Sequence, residues 1–143
     1  MISKLNNNPA LSLLKNNKTG HLGCILDTGE PNVVPVNYII IENDIYIHSA
    51  PGQKIAAMQS NPKICLQTEK VTENGLQWQS VIVFGQYEEI TDEEAKAEIL
   101  LGFSEKFPRL TPVEAALGSR GDDQGIVVFR LKIERLSAVE EGH

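Results

Sequence analysis

Residues 45–54 read IYIHSAPGQK and continue as IAAMQSNP. Ile45, Ile47 and Ser49 alternate with Tyr46 and His48, the two-residue period of a half-buried strand. Pro51-Gly52 breaks the strand, and the piece beyond it has helical character. The stretch is therefore a strand handing over to a helix through small residues, with Ser49 and Lys54 at the junction. N–H groups are unpaired at a helix start, and the local dipole favours an anion. Lys54 adds a formal positive charge, so the junction is a candidate phosphate site.

Upstream, Thr19 to Leu26 reads as a first strand, and residues 27–31 (DTGEP) as a turn punctuated by glycine and proline. Asn32 to Glu42 is a second strand, with Asn43-Asp44 closing a hairpin into the strand at Ile45. Pro35 lies inside that second strand. Proline donates no ladder hydrogen bond, which places it at a sheet edge, a bulge or a gap between strands. Downstream, Lys63 to Lys70 is a fourth strand and Leu76 to Ile90 a long fifth, with Trp78, Ser80, Ile82 and Phe84 on one face and Gln77, Gln79, Val81 and Val83 on the other. Gly85 within it signals a bulge or bend. Gly125 to Leu136 is a last strand, with Val127, Phe129, Leu131 and Ile133 facing one way.

Helical signals lie at the ends and between strands. Asn8-Pro9 is a helix start with Asn8 as N-cap, and Ala10, Leu13 and Leu14 form its apolar face within residues 1–17. Thr91 with Glu94 is a capping-box pattern ahead of Ala95, Ile99 and Phe103. Residues 107–123 read as mostly irregular. Successive strands with peripheral helices predict a mainly β antiparallel barrel, with an α+β sandwich as the alternative.

At 143 residues the chain reads as one domain, residues 1–143, able to bury a substantial core. The net charge of −6 and the lack of basic runs argue against nucleic-acid binding. No apolar run is long enough to span a bilayer, and the N-terminus has no signal-peptide pattern, so the expected location is cytoplasmic. Cys24 and Cys65 read as reduced, buried thiols in strands. His21, His48 and His143 show no metal-ligand spacing. Residues 141–143 read as a detached tail resembling a tag remnant.

The ordered set of motifs resembles the pyridoxamine 5′-phosphate oxidase-like, FMN-binding split-barrel family, nearest its nitroimidazole-reductase branch. The matching residues are His21-Leu22-Gly23, Gly29-Glu30-Pro31, Val34-Pro35-Val36-Asn37-Tyr38 and Ile47-His48-Ser49-Ala50. They continue with Gly52-Gln53-Lys54, Asn61-Pro62, Trp78-Gln79-Ser80-Val81 and Phe84-Gly85, about half the chain. The resemblance implies a six-stranded antiparallel split barrel forming a homodimer, with FMN in a cleft at the subunit interface. It implies phosphate contacts from Ser49, Gln53 and Lys54, a ring wall from Val34, Pro35, Val36 and Asn37, and approach of Ser80 and Val81, with Trp78 near. The family's oxidases carry an Arg-Lys pair where this chain has Gln53-Lys54, and an arginine-rich terminal segment not found here. Oxidation of pyridoxamine phosphate itself is therefore not expected.

His48 is the candidate catalytic residue. Its ordinary pKa near ~6.5 suits proton exchange about neutrality, whereas electron transfer belongs to the cofactor. Asn37 and Ser80 are polar groups on apolar strands that need partners, from neighbouring strands or from a ligand. Arg120 and Arg130 are candidates to reach a partner's cofactor. His21 reads as solvent-exposed.

The expected function is an FMN-dependent oxidoreductase passing electrons to a small electron-poor acceptor, with NAD(P)H as a transient donor and no metal. The alternatives are a non-catalytic flavin or haem binder, with His48 and His21 as axial candidates, and a deazaflavin-dependent reductase on the same barrel.

Overall fold

The computed structural model describes residues 1–107 and 125–142. Its strands are β1 (Ile2–Lys4), β2 (Thr19–Ile25), β3 (Pro31–Asn37), β4 (Ile39–Ile41), β5 (Asp44–Ser49), β6 (Lys63–Val71), β7 (Trp78–Glu89) and β8 (Val127–Glu141). Among the described residues three helices accompany them: α1 (Asn7–Asn16), α2 (Gln53–Ser60) and α3 (Glu93–Lys106). All pairings are antiparallel, in the order β3-β2-β6-β7-β8-β5-β4, with β1 added beside β8.

The two ends of that order, β3 and β4, are consecutive in the chain and separated only by Tyr38. The sheet therefore curls until its edges meet at Tyr38, and is open beyond it. What reads in the sequence as one strand, Asn32 to Glu42, is split there: β4 pairs with β5, whereas β3 swings away to pair with β2. With β3 and β4 counted as one interrupted strand, the main strands number the expected six, and the fold is a split barrel. Pro35 indeed lies on an edge strand, since β3 pairs only with β2 among the described residues.

The inside of the curl holds the main core, including Leu22, Ile45, Ile47, Leu66, Val81, Val83, Phe129 and Leu131, with Leu13 and Leu14 from α1 and Ile55 and Met58 from α2. A second cluster lies outside β4, β5 and β8, where Ile99 and Phe103 of α3 pack on Ile39 and Val128. Gly85 marks the bulge expected of it. Phe84 stands opposite Arg135 and Gly85 opposite Ile133, so Glu134 is the extra residue. The bulge changes the inward phase of β8, from Phe129, Leu131 and Ile133 to Leu136 and Ala138. A Cβ on Gly85 would lie 2.1 Å from the Lys132 carbonyl oxygen, so only glycine fits.

Several boundaries differ from the sequence reading. The N-cap of α1 is Asn6, not Asn8, and Pro9 falls in the first turn. Asp92, not Thr91, caps α3, its carboxylate accepting the Ala95 N–H at 2.9 Å. Glu42 and Asn43, both at positive φ, form the β4–β5 turn in place of Asn43-Asp44. Strand β7 starts at Trp78 rather than Leu76, and β8 runs on to Glu141. Glu141 and Gly142 are not detached: Glu141 pairs with Trp78 and Ile2, and the Gly142 carbonyl accepts a bond from Gln77 at 2.8 Å. Of the segment expected to be irregular, only Phe107 is among the described residues; Arg120 and His143 lie outside them.

Candidate functional site

The opening beyond Tyr38 is lined by two strand edges that part at a fork. One wall is β3; the other is β5 past Tyr46, which bonds β8 on its far side. Continuing the β4–β5 register, in which Ile39 faces Tyr46, sets Asn37 across from His48 and Val36 across from Ser49. Val34 and Val36 turn half-buried side chains toward the core, while Pro35 and Asn37 are exposed. The fork itself is tightly held. Tyr38 is fully buried; its N–H donates to the Lys18 carbonyl at 3.2 Å and its hydroxyl donates to the Leu14 carbonyl. Burial raises the Tyr38 phenol to about 12.

At the far end of β5, Ser49 leads through Ala50, Pro51 and Gly52 into α2. The N-cap of this helix is Gly52, and among the described residues no side chain caps it. Ser49 is not the cap, because its hydroxyl donates to the adjacent Ala50 carbonyl at 3.0 Å. The first intrahelical bond runs from the Ala56 N–H to the Gly52 carbonyl at 3.1 Å, leaving the N–H groups of Gln53 to Ile55 without a helical acceptor. Nothing lies within 4 Å of where a Gly52 Cβ would be. Lys54 stands in the second helical position, half-buried, beside this open helix end. Unpaired donors and the helix dipole thus face space open among the described residues, with Lys54 in the same helical turn, the setting a phosphate group requires. Helix α2 is anchored by Ile55 and Met58 in the core, and by Gln59, which donates to Glu89 at 2.8 Å. Hydrogen bonds from Tyr87 and Gln59 hold the Glu89 carboxyl below the usual carboxylate range.

His48 is half-buried, its ring edge-on to Phe103 of α3 at 4.5 Å between centroids. The structure thus sets His48 and Ser49 on β5, with Gln53 and Lys54 in the first turn of α2 beyond them, across the fork from Val34, Pro35, Val36 and Asn37 on β3; the His48 ring turns outward to α3, whereas Val34 and Val36 turn to the core. Ser80 and Val81 are elsewhere. The Val81 side chain is fully buried in the core and its backbone pairs on both sides, with Thr68 and Ala138, so it offers no accessible group within this chain.

Ser80 is on the outer face of the sheet, in a chain of polar contacts that crosses three strands. His21 Nδ1 lies 2.9 Å from Gln67 Oε1, and Gln67 Nε2 donates to Ser80 Oγ at 3.0 Å. The amide oxygen can only accept, so the geometry makes His21 Nδ1 the donor. His21 is exposed, as expected. Gln67 was invisible as a site residue because one glutamine on a strand carries no spacing signal. Around this chain the outer face is apolar and half-exposed, with Trp78, Ile82 and Phe84 on β7 and Val33, 66% exposed, on β3. A shallow depression of about 280 Å³ opens there between Val33, Cys65 and Phe84.

Arg130 is committed to its own chain, pairing with Asp44 at 3.5 Å and with Glu88. Cys24 and Cys65 are free thiols; Cys24 is buried as expected, whereas Cys65 is only half-buried, and desolvation pushes its thiol up. Among the described residues no cluster of His, Cys, Asp and Glu is placed to hold a metal ion, and no helix is long and apolar enough to cross a membrane.

A family model described as pyridoxamine 5′-phosphate oxidase matches residues 7–140. An uncharacterized protein of Rhizobium meliloti, RA0666, is 45% identical over 69 residues, which span 48% of this chain and 44% of that protein. Among solved structures, an FAD-binding protein of Mesorhizobium loti is 28% identical with a TM-score of 0.79, covering 99% of both chains. A protein of Bacteroides thetaiotaomicron whose name links it to 5-nitroimidazole antibiotic resistance is 19% identical with a TM-score of 0.74, covering 98% of this chain and 89% of that one. That second likeness concerns the fold alone.

Proposed function

The chain belongs to the pyridoxamine 5′-phosphate oxidase family, and from that premise we propose that it is a homodimeric, FMN-dependent oxidoreductase acting on a small electron-poor acceptor. The observation that carries this reading is the uncapped N-terminus of α2, open at Gly52 with Lys54 beside it, at the mouth of the split between β3 and β5. A monophosphate fits there: the helix N–H groups and Lys54 meet its charge, and Ser49 Oγ can accept or donate after rotating from Ala50.

The free edge of β3 offers backbone groups to the rim of a planar heteroaromatic ring, with the Asn37 amide and His48 at the fork end of the opening. When bound, flavin supplies the redox chemistry; the protein binds, orients and shields. His48 is placed to hand a proton to a reduced acceptor at the fork. Ser80 lies on the outer sheet face, away from the opening. In a dimer that sets the outer face of one protomer against the opening of the other, Ser80 and its Gln67–His21 relay would complete the site in trans. A nitroaromatic is one acceptor of the right chemistry, and a reduced nicotinamide a fitting transient donor. A cytoplasmic location accords with this reading.

The test is a visible spectrum of purified protein after addition of FMN and removal of the excess. A retained flavin spectrum with two bands is expected. Passage of FMN straight through the column would contradict the reading, and a sharp Soret band in the untreated protein would replace it with haem binding.

A further inference from the structure

We propose that the last turn of α3 is the spacer that sets the distance between the two walls of the opening, with Lys106 and Phe103 as its positioning residues. The two are three residues apart, which sets them on one helix face. Phe103 abuts the β5 wall through its edge-on contact with the His48 ring at 4.5 Å. Lys106 holds the β3 wall at its root: its ammonium donates to the Tyr38 carbonyl at 3.1 Å and to the Asn17 carbonyl at 2.9 Å. The same ammonium lies 4.7 Å from the centre of the Tyr38 ring.

Tyr38 is the single residue between β3 and β4, so its carbonyl is the last backbone group before the strands separate. Asn17 extends the grip into the barrel, its amide donating to Thr68 Oγ1 at 2.7 Å and to the Glu69 carbonyl at 2.8 Å. One helical turn thus contacts both sides of the fork, and through Asn17 it is bound to β6. A lysine on a surface helix ordinarily keeps its head in water. This one is half-buried and directed at backbone carbonyls, so its charge-assisted hydrogen bonds tie the Tyr38 and Asn17 backbones to one point on α3.

The inference rests on the cleft reading above for its consequence, which is flavin affinity, but not for its geometry. The test uses Lys106→Met, Phe103→Leu and a control, Leu5→Ala, which removes a buried core side chain whose backbone is held by Ala138 of β8 rather than by α3. Two quantities are measured: the Kd for FMN and for riboflavin, and amide hydrogen exchange of the unliganded protein. Lys106→Met and Phe103→Leu are each expected to weaken both flavins about tenfold, the loss of a charged hydrogen bond or a ring contact at a preorganised wall. Both are expected to accelerate exchange across residues 31–37 while β6 and β7 stay protected. Leu5→Ala should lower Tm yet leave affinity and β3 exchange unchanged.

Unchanged affinity with faster exchange confined to α3, or an equal loss from Leu5→Ala, would overturn the proposal. If Lys106→Met does not fold, Phe103→Leu decides alone by the same criteria. Failure of the wild type to bind either flavin would refute the function assigned to the opening, and the exchange pattern would still decide whether α3 spaces its walls.

Discussion

A lysine, a histidine and a tyrosine show how one side chain's meaning depends on where the backbone sets it. Lys54 would be an ordinary surface cation but for its place in the second position of a helix that no described side chain caps. Replacing it with methionine removes a charged hydrogen-bond donor, which is worth about 1.5–3 kcal/mol, so FMN affinity should fall at least about tenfold. His48 stands on β5 with its ring against Phe103 of α3. His48→Ala is therefore expected to leave FMN bound while lowering turnover of a nitroaromatic acceptor; unchanged turnover would remove the proton-donor role. Tyr38 carries a stability prediction with a defined sign. Its phenol is raised from 10.0 to about 12, so between those values the folded state holds a proton that the unfolded state has lost. The corresponding stabilisation is complete below pH ~10 and is lost as pH rises through about 12, on the order of 2–3 kcal/mol in all. Urea melts of Tyr38→Phe should show a shallower decline over that range than the wild type. Parallel declines would mean that some other group controls alkaline unfolding.

Elements were legible where the residues impose a period or a break, and illegible where the decisive partner is remote. The alternation in residues 45–49, the Pro51-Gly52 stop and the Gly85 bulge all express backbone chemistry that a local reading captures. The cap of α1 was misplaced because Asn6, Asn7 and Asn8 are three consecutive residues with equal capping ability, and Thr91-Asp92 posed the same ambiguity for α3. Strand β1 has only three residues, all exposed, so it has no buried face for a pattern to reveal. Lys106 gave no signal because its acceptors are carbonyls of Asn17 and Tyr38, distant in sequence and without side-chain identity. Gly85 yields the firmest test at this scale. Gly85→Ala drives a methyl group into the Lys132 carbonyl, and such overpacking costs typically about 1–3 kcal/mol, occasionally more. Chemical denaturation should show a loss at the top of that range, whereas a change below about 0.5 kcal/mol would mean that the bulge can relax elsewhere.

For the molecule as a whole, the sheet order explains why the candidate residues divide into two groups. A barrel whose edges meet only at Tyr38 keeps an opening on one side, and that opening collects β3, β5 and the start of α2. Ser80 is on the outside of the same sheet, among half-exposed apolar side chains. The resemblance places all these residues at one cofactor; within a single protomer they are not together, and the proposed dimer is what reconciles them. Ile82→Glu, a charge set on the outer face, should shift the protein to monomer in sedimentation velocity and release FMN. Lys54→Met should weaken FMN about tenfold without dissociating the dimer. Were Ile82→Glu to stay dimeric with flavin bound, the outer face would not be the interface. The most direct measurement is a paired equilibrium titration with FMN and riboflavin, in wild type and Lys54→Met. Wild type should prefer FMN by more than about tenfold, and Lys54→Met should cut that preference about tenfold, the worth of one charge-assisted phosphate contact, while leaving riboflavin affinity intact. Equal affinities for both flavins in the wild type, or a preference for FMN undiminished in Lys54→Met, would contradict the phosphate site.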